Sequence, residues 1–316
     1  MLAIRSTRRL VCQVALRTLT TTPPPPPLSY QTIGPPSPAS SLPTVALHGW
    51  LDNSSTFLPL SNHNIPLHAP DFPGHGLSYH FTDSTNLISS YLLPTYNFVT
   101  HILEKTGSDK INLIGHSMGS SIALILAATY PDLINKLIII EGLGPITKPD
   151  NEIINILRKH TDQFSRPQKP TRIYASLEDC IKARQKTAEL SPGDQYITYE
   201  TCSNLINRST FAVSGGFVFT HDSRLKNSSH MYLTEAQCYS VLKNVTSDVL
   251  LIQAEKGWPQ PDASIVEKRL NALKEGVDRF EIVNVKGSHH CHSDEDGVNE
   301  VAVAIKDFFS SDDKKR

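Results

Sequence analysis

No aspartate or glutamate precedes Asp52 in this chain, whereas Arg5, Arg8, Arg9 and Arg17 stand in a start that is also rich in Ser, Thr and Leu. An acid-free, arginine-bearing start has transit-peptide composition, which makes a mitochondrial destination the expectation, with cytoplasmic or peroxisomal placement as the alternatives. A secretory signal is the rival reading, but the apolar run at 10–16 is broken by Gln13 and is short for a signal core. Cysteine is sparse: Cys12, Cys180, Cys202, Cys238 and Cys291 are widely spaced and odd in number, which speaks against a disulfide framework and for a reduced compartment. Neither sign of charge is in excess, with 30 Lys and Arg against 31 Asp and Glu, so nothing favours nucleic acid as a partner. No stretch reaches the ~20 apolar residues of a membrane span, and there is no internal repeat. Asn53, Asn207, Asn227 and Asn244 head formal glycosylation sequons, which carry no meaning outside the secretory route and are read as chance.

What is present is enough for one large α/β domain with an insertion, since 316 residues can bury a full core. The five prolines at 23–27 cannot join a helix or an inner strand and mark a semi-rigid linker. The expected organisation is a leader and linker at 1–27, a first core part at 28–145, a cap at 146–240 and a second core part at 241–312. Residues 28–33 offer a single strand before VALHGW, so the usual first strand pair is expected to be truncated. Between 145 and about 237 the strand–helix alternation gives way to polar helical patterns and turns, the mark of an inserted cap.

The segment 110–130, KINLIGHSMGSSIALILAATY, carries the chemistry. An apolar strand at 111–114 runs into GHSMG and on into a helix with Ile122, Leu124, Ile125 and Ala128 on its apolar side, the arrangement of a nucleophile elbow. Gly115 and Gly119 let helix and strand pass closely, with His116 between strand and serine. Ser117 is lifted out of the sheet, and the Met118 N–H at the helix N-terminus is aimed where an oxyanion would form. The bland alternative is a buried strand–turn–helix with an inert serine.

Upstream, VALHGW at 45–50 ends in His48, Gly49 and Trp50, where chains with a nucleophile elbow of this kind place the second oxyanion donor; the Trp50 N–H is the candidate, Gly49 permits the sharp turn, and His48 braces the loop. DFPGHG at 71–76 reads as a rigid turn under the site. Near the end, the alternating strand at 279–285 leads to KGSHHCHS, with His289, His290 and His292, and then to a helix with Val301, Val303, Ile305, Phe308 and Phe309 on its apolar face. A histidine after the last strand can reach back over the serine. Three histidines and one cysteine also contain metal-ligand spacing, but no second cluster completes a tetrahedral set, so neither metal nor cofactor is expected.

HGWLDNSSTFLPL, DFPGHGLSYH, LIGHSMGSSIALILAATYPDLINKLIIIEGLGP, GSHHCH and, more weakly, SGGFVFTHDSRLKNSSHMYLTEAQ together resemble the kraken-like serine hydrolases, or serine hydrolase-like proteins, of the α/β-hydrolase superfamily. The resemblance implies a mostly parallel central sheet with helices on both faces and a helical cap inserted after the sixth strand. It makes Ser117 the nucleophile and His289 the catalytic histidine, with His290 and His292 as neighbours. Many relatives carry an aspartate after the strand at 249–254, but this chain reads AEKGWP there, with Gly257 about where the acid would stand. Glu141, at the end of LIIIE, is the leading candidate, because some relatives, haloalkane dehalogenases among them, place the acid after that strand; Glu255 and Asp262 are its rivals. A carboxylate leaving a buried strand needs a partner to stay ionised, and an imidazole would be one.

These readings point to covalent catalysis on an ester, thioester or related small acyl substrate, with a serine that argues against the epoxide hydrolase and dehalogenase branches. An acyltransferase shares the elbow and is the nearest enzyme alternative. A silent member acting as a binding protein is the alternative of another class.

Overall fold

The computed structural model describes residues 27–36, 41–82, 87–167 and 170–311. The expected leader and most of the proline run lie outside the described residues.

Among the described residues seven strands form the central sheet: β1 (Tyr30–Ile33), β2 (Thr44–Leu47), β3 (Leu67–Pro70), β4 (Ile111–His116), β5 (Ile134–Ile140), then β8 (Asp248–Lys256) and β9 (Phe280–Ser288), in spatial order β1-β3-β2-β4-β5-β8-β9. All neighbours pair in parallel except the edge strand β1, which runs antiparallel to β3. The inner strands read as unbroken apolar runs because both faces are covered. On β5, Leu137 and Ile139 enter the core on one side of the sheet while Ile138 and Ile140 enter the core on the other. Val249 and Leu251 against Leu250 and Ile252 repeat the alternation on β8.

Helices α1 (Leu92–Thr106), α2 (Met118–Thr129), α6 (Glu235–Lys243) and α7 (Ala263–Gly276) cover the first face. The 3₁₀ segment Ser54–His63 and the last helix, α8 (Val298–Ser310), cover the second. Chain order turns in opposite directions on either side of β2, so β2 and β4 form a topological switch point, and a crevice is expected at the carboxyl ends of the strands there.

Between β5 and α6 lies the insertion: α3 (Ile153–Phe164), α4 (Leu177–Glu189), α5 (Tyr199–Ser209) and a hairpin of β6 (Thr210–Val213) and β7 (Gly216–Phe219). It buries a small core of its own, including Cys180, Ile181, Cys202, Leu205 and Ile206. Three expectations need correction. The insertion follows the fifth strand in chain order among the described residues, not the sixth, because one strand rather than two precedes Thr44. It is not wholly helical: Gly215 at φ 91° and Gly216 at φ 143° turn the chain into a hairpin, and Phe217 pairs with Tyr174 as well. Its end falls before 240, since α6 crosses the 240/241 boundary as one capped helix whose Cys238 and Leu242 join the main core.

Candidate active site

The elbow is built by close backbone approach. Ser117 adopts φ 53° and ψ −116°, a conformation L-residues rarely hold, and its N–H donates to the Ile140 carbonyl at 3.0 Å. A Cβ on Gly115 would stand 2.5 Å from the Gly119 carbonyl oxygen, and one on Gly119 would stand 2.1 Å from the Leu47 oxygen, so only glycine fits either position. Ser120, which the sequence did not single out, donates its buried hydroxyl to the carbonyls of Gly115 (2.6 Å) and Ile140 (3.0 Å), tying the ends of β4 and β5 beneath the elbow. Met118 opens α2, where first-turn N–H groups have no acceptor within the helix.

The loop after β2 holds the other expected donor. Trp50 lies in the turn that Leu51 closes at φ 61°, and its indole N–H donates to the Leu225 carbonyl of the insertion at 3.3 Å. His48 is buried: it accepts the Phe72 N–H at Nε2 (2.9 Å), and Nδ1 lies 2.7 Å from the Gly49 carbonyl, so Nδ1 carries the proton. Burial pushes its pKa down against the pull of Asp71, and the ring is a neutral brace. Gly49 lies against His116, whose Nδ1 would be 3.0 Å from a Cβ at that position.

His289 and Glu141 meet across 148 positions of sequence, with Nδ1 and Oε2 3.1 Å apart. Glu141 leaves β5 at φ 55° and is almost fully buried. Its carboxylate also accepts the Ala254 N–H at 2.7 Å and the Trp258 N–H at 2.8 Å, so both oxygens are held. The loop after β8 makes room for it: a Cβ on Gly257 would lie 2.5 Å from each carboxylate oxygen. The space beside Gly257 is thus filled by a glutamate arriving from the neighbouring strand. Glu255 is exposed, and Asp262 is exposed and caps α7 by accepting the Ser264 N–H. With Nδ1 donating to Glu141, the neutral His289 ring keeps a lone pair on Nε2. Burial lowers its pKa, and the hydrogen bond to Glu141 opposes the fall.

Around this pair stand several of the histidines that the sequence motifs carry, joined by Trp258, Asp52 and Arg184, which no local pattern announces. Trp258 packs its ring 5.3 Å from His289. His116 donates from Nε2 to the His289 carbonyl at 2.8 Å. His290 approaches Asp52 at 3.2 Å, and Asp52 also pairs with Arg184 of α4 at 2.8 Å. Burial alone would raise the Asp52 pKa, but His290 and Arg184 outweigh it and hold the carboxyl well below its usual range. His292 contacts Thr56 at 2.9 Å. DFPGHG is more than a turn, because the buried Asp71 accepts the Ser54 and Leu77 N–H groups and pairs with Arg208 of α5. Asn53 is buried, capping the following turn and donating to the Leu205 carbonyl, a structural role rather than an exposed sequon. Among the described residues no group of three His, Cys, Asp or Glu side chains is arranged to hold a metal ion, and no helix is long and apolar enough to cross a membrane.

A sequence family described as the alpha/beta hydrolase fold matches residues 45–258. The chain is 29% identical over 281 residues to a serine hydrolase-like protein of Danio rerio, covering 86% of this chain and 82% of that protein. It is 26% identical to serine hydrolase-like protein 2 of Homo sapiens, over 84% and 86% of the two chains. Among solved structures, a hypothetical protein from Pseudomonas aeruginosa PAO1 superposes with a TM-score of 0.76 at 32% identity, covering 92% of this chain and 98% of that one. These matches support a hydrolase.

Proposed function

We infer that the chain, which belongs to the α/β-hydrolase family, is a serine hydrolase that cleaves a carboxylic ester or thioester through Ser117, His289 and Glu141. The observation that carries this reading is the contact between His289 and the fully held Glu141 carboxylate, on the rim that also bears the strained Ser117.

In this account Glu141 fixes the His289 tautomer with the proton on Nδ1, so that Nε2 takes the proton of Ser117 as its oxygen attacks the acyl carbon. The N–H groups of Trp50 and Met118 hold the oxyanion. His289 then protonates the leaving alcohol or thiol, and water, deprotonated in turn by His289, releases the acid from Ser117. Burial keeps the imidazole neutral and ready as a base, while Glu141 stabilises the imidazolium that forms transiently. A carboxylate from β5 occupies the space beside Gly257, which weighs against a silent binding protein. The basic, acid-free start supports a mitochondrial address.

Hydrolysis of p-nitrophenyl esters and acyl-thioesters of graded chain length by wild type and Ser117→Ala tests the reading. Turnover by wild type and none by the variant is expected; equal turnover by both would rule it out.

A further inference from the structure

We propose that Gln195, a side chain of the insertion, is a positioning residue that holds His289 and the Glu141 loop in one geometry; the proposal rests on the serine-hydrolase reading above. Gln195 lies between α4 and α5 and is buried. Its Oε1 accepts the His289 N–H at 3.1 Å, and its Nε2 donates to the carbonyls of Lys256 and Gly257, both at 3.0 Å. One N–H on one side and two carbonyls on the other admit a single amide orientation, and in it every polar atom of the side chain is used.

Two consequences follow for the acid–base pair. The His289 main chain is gripped on both sides, its N–H by Gln195 and its carbonyl by His116 Nε2. The segment that supplies the Ala254 and Trp258 N–H groups to Glu141 is pinned through the two carbonyls between them. One amide from the insertion therefore ties the loop carrying the base to the loop holding the acid. Neighbouring contacts keep Gln195 in place: Ser288 donates to the Tyr196 carbonyl at 2.8 Å, and Thr198 bonds to Asp294 through both its N–H and its hydroxyl. The insertion does not need Gln195 in order to stay attached. Arg208–Asp71, Asn53–Leu205 and Thr220–Gly76 fasten it to the core elsewhere. What Gln195 adds is register between His289 and Glu141, and small misplacements of catalytic groups are expensive, about 10²-fold in rate for ~1 Å.

The test compares steady-state kinetics of full-length Gln195→Leu and Gln195→Ala on a short-chain p-nitrophenyl ester with those of wild type, Ser117→Ala and Thr220→Val. Leu preserves size, while Ala leaves space for water to satisfy the three freed groups and keeps the test alive if Leu does not fold. Thr220→Val removes a different tie between insertion and core, a hydrogen bond of 2.7 Å to the Gly76 carbonyl. Both Gln195 variants are expected to lose roughly 10- to 100-fold in kcat with KM within about threefold, the scale of losing a group that orients a catalytic ligand, while Thr220→Val keeps wild-type kcat. A Gln195 variant within twofold of wild-type kcat, a loss confined to KM, or an equal loss in Thr220→Val overturns the proposal. Wild type and Ser117→Ala equally inactive would instead bring down the hydrolase reading, and this inference with it. An active wild type matched by the Gln195 variants brings down this inference alone.

Discussion

Replacing Glu141 by glutamine changes one atom and should disable the base. The carboxylate accepts three hydrogen bonds, from Ala254 N, Trp258 N and His289 Nδ1. An amide has one acceptor oxygen and one NH₂ group, and with Ala254 on Oε1 and both Trp258 and His289 on Oε2 either orientation leaves at least one donor facing another. If the oxygen stays with the Ala254 N–H, the NH₂ takes the place of Oε2 and faces both the Trp258 N–H and His289, and the ring relieves its share of the clash by moving its proton from Nδ1 to Nε2. A proton on Nε2 removes the lone pair that would accept from Ser117. The expected loss is 10²- to 10⁴-fold in kcat, or about 3 to 5 kcal/mol of transition-state stabilisation. If the oxygen stays with His289 instead, a buried N–H loses its acceptor at a cost of about 1 to 3 kcal/mol in stability, and kcat falls less. The two outcomes are told apart by measuring kcat and the thermal midpoint on the same preparation. Glu255→Gln, at an exposed position, is expected to match wild type in both. A Glu141→Gln enzyme within tenfold of wild-type kcat and unchanged in melting would refute the assignment of the acid.

Four other outcomes are expected. Gly257→Ala drives a methyl to 2.5 Å from both Glu141 oxygens, so it should destabilise by about 1 to 3 kcal/mol as overpacking does and lower kcat at least tenfold, read from melting and ester hydrolysis. Ser117→Gly should melt higher than Ser117→Ala, by an amount worth about 1 kcal/mol, because only glycine holds φ 53° without strain; equal midpoints would remove the strain argument. Arg184→Ala leaves the Asp52 carboxylate buried beside His290 and should cost roughly 3 to 5 kcal/mol in denaturant unfolding, most of it recovered by adding Asp52→Asn. Burial holds the pKa of His75 at about 3 and that of His292 at about 3, so below pH 6.5 the unfolded chain binds protons that the native one refuses. Stability from these two groups is complete above pH 6.5 and falls by about 3 kcal/mol per pH unit as pH drops toward 4, which urea unfolding across that range will measure.

What could be read from the chain was what lies close together in it. Strand, GHSMG and helix sit within one short segment, so the elbow and the glycines at 115 and 119 follow from local sterics. The parallel sheet likewise follows from apolar runs such as LIIIE, which only make sense when both faces are covered. The carboxylate beside His289 was a different matter. Its partner is 148 positions away, and the sequence offered Glu141, Glu255 and Asp262 without a way to see that Gly257 is small because Glu141 fills its space. Asp52 and Arg184 meet across 132 positions, and Gln195 stands 94 positions before His289; neither belongs to a periodic pattern, since each is defined only by the loops it joins. The hairpin at 210–219 did leave a local signal, Val-Ser-Gly-Gly between alternating aromatics, which the polar helical patterns around it obscured.

The central claim is that Ser117 is a nucleophile made ready by His289 and Glu141, and intact-mass spectrometry after treatment with a fluorophosphonate probe addresses it most directly. One covalent adduct is expected, mapped by peptide fragmentation to Ser117, absent from Ser117→Ala and formed more slowly in Glu141→Gln. An untouched protein, or an adduct on another residue that survives Ser117→Ala, would contradict it.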